Sequence, residues 1–108
     1  IVNHYSADVD SPVTQEFIAR YTAAYGQAPD ALAALGYDGA LIVAKALEAA
    51  GSTEPEALKQ ALGTVKGIDG VTGTINMDPE GTPIKSAVIL QSTGGKWELV
   101  DQVDPSGR

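Results

Sequence analysis

From Pro12 to Tyr25 the apolar side chains Val13, Phe17, Ile18, Tyr21 and Ala24 recur in steps of three and four. That spacing lines one face of a helix. Ser11 ahead of Pro12 supplies an N-cap followed by proline at the first helical position, and Gly26 fits a C-cap. A second, longer helix is predicted from about Asp30, its N-cap, to Ala50, with Gly51 ending it. At 100° per residue its charged side chains Asp38, Lys45 and Glu48 share an arc of about 80°, leaving the rest of the circumference to Ala, Leu, Ile, Val and Tyr. A helix patterned in this way is meant to be enclosed on most sides. Gly36 and Gly39 each cost about 1 kcal/mol relative to alanine, which is tolerated where another backbone or a ligand comes close. Close helix packing is the plainer of those two readings.

A short third helix follows. Thr53 and Glu56 are spaced as a capping box, Pro55 falls in the first turn, and Ala57, Leu58, Ala61 and Leu62 form the inner face. After Gly63 the pattern changes to β-branched and alternating runs: Val71 to Met77, Ser86 to Gln91, and Trp97 to Val100. Asp78-Pro79-Glu80-Gly81 and Ser92-Thr93-Gly94-Gly95 separate them as turns, and the last two strands should pair as a hairpin. Ile1 to Tyr5 reads as another short strand, Ser6 to Pro12 as a polar loop, and Asp101 to Arg108 as a polar tail that frays. The fold class is therefore α/β, three helices followed by a short strand and hairpin region. One inconsistency remains. A helix apolar on nearly every side needs cover on more than one face, and this chain supplies few strands to give it. Either part of the domain lies elsewhere or a partner chain completes it.

Composition narrows the classes of function. At 108 residues and 44% hydrophobic content the chain is one globular unit or a piece of one. Fourteen acidic residues against seven basic ones give a net charge of -7, and the basic residues are scattered. That excludes a nucleic-acid footprint and argues against an anionic membrane surface. No cysteine is present, so disulfides, thiolate metal sites and a cysteine nucleophile are excluded. The apolar stretch Ala31 to Ala50 is interrupted by Gly36, Asp38, Gly39, Lys45 and Glu48, too often for a membrane span. No signal peptide is legible at Ile1, so an exported protein would have its beginning outside this chain.

Candidate chemistry is sparse. His4 is the sole histidine and has neither a second metal ligand at the usual spacing nor a serine nucleophile beside it. Asp8 and Asp10 lack the further oxygen ligands and glycine of a calcium loop and read as solvated carboxylates. Ser92 to Lys96 lacks the spacer of a phosphate loop, and Gly67, Gly70 and Gly73 are not followed by the helix a dinucleotide fingerprint requires. Tyr21 and Tyr25 fit packing on the first helix, while Tyr37, just after Gly36 in the second, is open to core packing or to ligand contact. No catalytic residue, no metal site and no cofactor loop is found, and the residues alone leave the function open.

The segment Pro29-Asp30-Ala31-Leu32-Ala33-Ala34-Leu35-Gly36-Tyr37-Asp38-Gly39-Ala40 resembles the periplasmic leucine/isoleucine/valine-binding protein family, where such a stretch opens a long lobe helix. The resemblance continues in order. It includes Asn3-His4-Tyr5 before an acidic loop, Phe17-Ile18-Ala19-Arg20-Tyr21 ending in Tyr25-Gly26, and Ala50-Gly51-Ser52-Thr53-Glu54-Pro55-Glu56-Ala57-Leu58. In the tail it takes in Gly70-Val71-Thr72-Gly73-Thr74-Ile75, Met77-Asp78-Pro79-Glu80-Gly81 and Val88-Ile89-Leu90, so that it covers about the first hundred residues.

The resemblance implies a type I periplasmic-binding-protein fold, two α/β lobes joined by three crossing strands. The ligand is held between the lobes, and closure signals to a membrane ABC permease. This chain would be its C-terminal part: residues 1 to 76 mainly first-lobe helices, 77 to 101 the third crossing strand and hairpin, and 102 to 108 a tail. The implied function is that of an extracytoplasmic solute-binding component, periplasmic or extracellular, for branched-chain or related amino acids, with no cofactor and no enzyme activity. The fragment would bind poorly alone and could form a homodimer through its uncovered apolar faces. Within Ala31-Leu32-Ala33 the family often presents an aromatic ligand contact, and this sequence departs from it with Leu32. Leu32 and Tyr37 are the implied ligand-binding candidates. A ligand-sensing regulatory domain of the same fold is the alternative, and an enzyme fragment of flavodoxin type ranks below both.

Overall fold

The structure, a computed structural model, describes residues 1–105. Its elements in chain order are β1 (Val2–Asn3), α1 (Pro12–Tyr25), α2 (Ala31–Ala50), α3 (Pro55–Leu62), β2 (Ile68–Gly70), β3 (Gly73–Met77), β4 (Pro83–Ile84), β5 (Ala87–Thr93) and β6 (Lys96–Val103). The first two helices take the bounds their caps predict. Ser11 and Asp30 each accept a backbone N–H inside the first turn, and Gly26 and Gly51 close the ends in the left-handed conformation.

The capping box of α3 does not form. Its N-cap is Glu54, with no side-chain cap, and Ser52 Oγ accepts the Glu54 N–H instead. Pro55 is the cause, because the residue before a proline is pushed to extended backbone, which places the helix boundary one residue after Thr53.

The strands form two antiparallel three-stranded sheets, ordered β1-β5-β6 and β2-β3-β4. β5 and β6 are the predicted hairpin, joined across Gly94 and Gly95, both at positive φ. β6 continues to Val103, so Asp101 to Val103, expected to fray, are instead paired with Ile89, Val88 and Ala87. Ser106 to Arg108 of the predicted tail lie outside the described residues. The run Val71 to Met77 is not one strand. Ile68–Gly70 and Gly73–Met77 form a tight hairpin with Val71 and Thr72 as its connection. The two β-branched residues carry strand propensity, but their N–H groups are taken by a side chain of α2, and a turn results.

Two small cores hold these layers together. Tyr5, Phe17, Ala34 and Val71 are buried between α1, α2 and the β2–β3 connection, while Ile68, Ile75 and Met77 pack under Leu41 and Ile42 of α2. The polarity of α2 departs from the predicted arrangement. Asp38 is buried, with Ala34 and Ala46, whereas Leu32, Leu35, Tyr37 and Val43 are exposed. A Cβ added at Gly36 or Gly39 would meet nothing within 4 Å, so the close packing those glycines allow is not made among the described residues.

Candidate functional site

Both ligand-binding candidates lie on α2, on different sides of it. Asp30 Oδ1 accepts the Ala33 N–H at 2.8 Å and fixes the first turn, from which Leu32 projects with 76% of its surface open. Tyr37 follows five residues later, about 140° further round the axis. Its ring centroid is 4.9 Å from that of Phe17, which is 5.7 Å from Tyr21; Tyr21 and Tyr25 are 4.6 Å apart. Tyr37 thus heads a row of four rings running from α2 along α1, packed on one side and 43% exposed overall.

One residue beyond Tyr37 lies a group that reading the residues did not single out. Asp38 is 2% exposed, and its carboxylate accepts three hydrogen bonds: from Val71 N at 2.7 Å, Thr72 N at 2.9 Å and Thr72 Oγ1 at 2.5 Å. Charge-assisted bonds of this length offset the cost of burying a carboxylate. From the other helix Thr14 Oγ1 donates to the Val71 carbonyl at 2.8 Å, so α1 and α2 grip one connection from both sides. Gly70 is required beside it, because a Cβ there would stand 2.8 Å from Asp38 Oδ2 and 2.8 Å from Ile75 Cδ1. A signal was available in the sequence. The helical neighbours of Asp38 at three and four residues are Ala34, Leu35, Leu41 and Ile42, which is the surrounding of an inward position.

Two titratable groups respond to this interior. Burial pushes the Lys85 ammonium below its ordinary value, with the charge of Asp38 acting against that shift. Burial, and then the charge of Asp30, raises the Tyr5 phenol. The Tyr5 hydroxyl is enclosed and has no hydrogen-bond partner among the described residues.

The remaining sequence candidates are structural. His4 Nδ1 lies 2.8 Å from the Ser86 carbonyl oxygen, Asp8 Oδ2 accepts the Leu99 N–H at 3.3 Å, and Asp10 edges an open concavity of about 1020 Å³ shared with Ser11, Asp69, Asn76 and Gln102. Neither Leu32 nor Tyr37 lines it. Among the described residues no group of three or more His, Cys, Asp or Glu side chains could hold a metal ion. No helix there is long and apolar enough to cross a membrane.

Residues 1–96 match the family model described as periplasmic binding protein. No curated protein sequence matches the chain. Among solved structures it is similar to a leucine-binding protein of Thermotoga maritima, at 32% identity and a TM-score of 0.85 over 96% of this chain and 30% of that one. A branched-chain amino acid transporter substrate-binding protein of Streptococcus pneumoniae, solved with isoleucine, is 30% identical, with a TM-score of 0.84 and the same coverage. A solute-binding protein of an ABC transporter from Rhodopseudomonas palustris, in complex with 3,4-dihydroxybenzoic acid, is 28% identical with a TM-score of 0.82, over 95% of this chain and 30% of that one. The chain therefore spans about 30% of the length of these relatives. On the family match and the shared fold, it belongs to the periplasmic binding protein family, whose members bind solutes and are not enzymes.

Proposed function

We propose that this chain is the C-terminal part of an extracytoplasmic solute receptor that serves an ABC transporter, and that the intact receptor binds a branched-chain or related amino acid by closing two lobes around it. The observation that carries this reading is the fold match over 96% of the chain to a leucine-binding protein at 32% identity. The uncovered apolar side of α2, from Leu32 through Leu35 to Val43, supports it, because a surface of that kind is covered by more protein in a stable receptor. Leu32 gives the ligand an aliphatic rather than an aromatic neighbour, and Tyr37 is the second contact. The receptor works outside the cytoplasm and docks on a membrane permease. The 108-residue chain alone lacks one half of the cleft and binds poorly, and it associates with a second copy through the open side of α2.

Thermal unfolding of the gene product that carries this chain, with and without ligand, tests the reading. Leucine, isoleucine or valine at a hundred times its Kd should stabilise the protein by about 2.7 kcal/mol, and the 108-residue chain should show no such gain. A shift with 3,4-dihydroxybenzoate and none with the amino acids would move the reading to aromatic acids. No shift with any of them would end it.

A further inference from the structure

We infer that Asp38 is a positioning residue, whose hold on the β2–β3 connection sets the rotation of α2 and through it the placement of Leu32 and Tyr37. The carboxylate is the one charged group on the buried side of α2 among the described residues, and all three of its bonds run to Val71 and Thr72. Nothing else on the inward side of that part of the helix is directional, since Ala34, Leu41 and Ile42 make apolar contacts that tolerate a roll. The connection it holds is immobilised in turn by Thr14 of α1 and by the tight turn of its own hairpin. Rotation of α2 is thereby referred to α1, the helix that carries Phe17, on which the Tyr37 ring packs.

The two candidates feel any roll directly. At a Cα radius of about 2.3 Å, a roll of about 20° moves each backbone position by about 0.8 Å, more at the side-chain ends. A binding constellation needs its groups held within about 0.5 Å. Asp38 touches no ligand in this scheme. It acts by keeping Leu32 and Tyr37 where a ligand finds them.

The ligand part of this inference rests on the receptor reading, and the mechanical part does not. Asp38→Asn keeps the shape of the side chain and removes its charge, and Thr72→Val removes only the hydroxyl donor, with Thr72→Ser as its rescue. Amide hydrogen exchange in the 108-residue chain should speed up by about 10- to 100-fold at Val71 and Thr72 in Asp38→Asn, and should also rise across residues 31–37 of α2. In the gene product that carries the chain, the ratio of leucine to 3,4-dihydroxybenzoate affinity should shift by about 3-fold or more, in Thr72→Val as well, and return in Thr72→Ser. If residues 31–37 keep their protection while only the connection loosens, the inference is overturned. It is equally overturned if Tm falls with the affinity ratio unchanged. If Asp38→Asn does not fold, Thr72→Val decides both readouts. If the unmodified gene product binds neither probe, the receptor reading fails, and the exchange of residues 31–37 still decides the role of Asp38.

Discussion

The two sides of α2 each depart from the usual rule for a surface helix, the inward one by a single charge among apolar residues and the outward one by its open apolar side chains. Its inward side carries a carboxylate at 2% exposure, and its outward side carries Leu32 at 76%, with Leu35 and Val43 also open. The inward side is stable because Asp38 accepts short bonds from two backbone N–H groups and from the Thr72 hydroxyl, all of which would otherwise be orphaned in the interior. The outward side has no such compensation among the described residues, and its apolar surface is available for association. Burial of the charge on one side follows hydrogen-bond supply, while exposure of apolar side chains on the other follows the lack of a covering layer among the described residues.

The largest effect should come from breaking the inward side. Asp38→Ala leaves two buried N–H groups and one hydroxyl without an acceptor and should cost about 3 kcal/mol or more in urea unfolding. A loss under about 1 kcal/mol would mean that water reaches the connection and that the burial is weaker than the geometry implies.

A smaller effect, of the opposite sign, is expected where the interior holds an uncompensated polar atom. Tyr5→Phe deletes a hydroxyl that has no partner among the described residues and should stabilise the chain by up to about 1 kcal/mol at neutral pH. The same variant carries a pH signature. Because the folded phenol titrates above the unfolded value near 10, its contribution is complete below about pH 10 and is lost as pH rises through the folded value. The unmodified chain should therefore lose more stability above about pH 10 than Tyr5→Phe does, as followed by urea midpoints against pH. Parallel curves would remove Tyr5 from the account.

The outward side should give the smallest change in stability. Val43→Asp should stay within about 0.5 kcal/mol in this chain, since the side chain is already open. It should nevertheless abolish self-association in sedimentation equilibrium. Association that survives the charge would place the contact elsewhere, for example on Trp97, Val100 and Val103 of β6, which are also exposed.

Much of the helical layer was legible because caps are local. Ser11, Gly26, Asp30 and Gly51 act on amides within a turn of themselves, and α1 and α2 begin and end where they predict. The β5–β6 hairpin was legible for the same reason, through Gly94 and Gly95. Thr53 misled because a capping box and a proline competed for one boundary, and the proline's steric restriction is the stronger. Val71 and Thr72 misled because β-branching reports what a side chain prefers and carries no information on where the backbone N–H groups go. Leu32 could be named through resemblance and Tyr37 through its glycine neighbours, yet the packing of Tyr37 against Phe17 and the openness of Leu32 needed the packed molecule.

The sequence by itself determined the elements whose causes lie within a few residues: the capped helices, the glycine turns, the absence of thiol chemistry and the family signature spread from Asn3 to Leu90. Only the tertiary structure decided which side of α2 faces in, that Val71 and Thr72 form a connection, and that Asp38 and Thr14 grip it from two helices. Those outcomes depend on contacts across 33 to 57 residues of chain, where a buried donor must find its acceptor whatever the local pattern of hydrophobicity prefers.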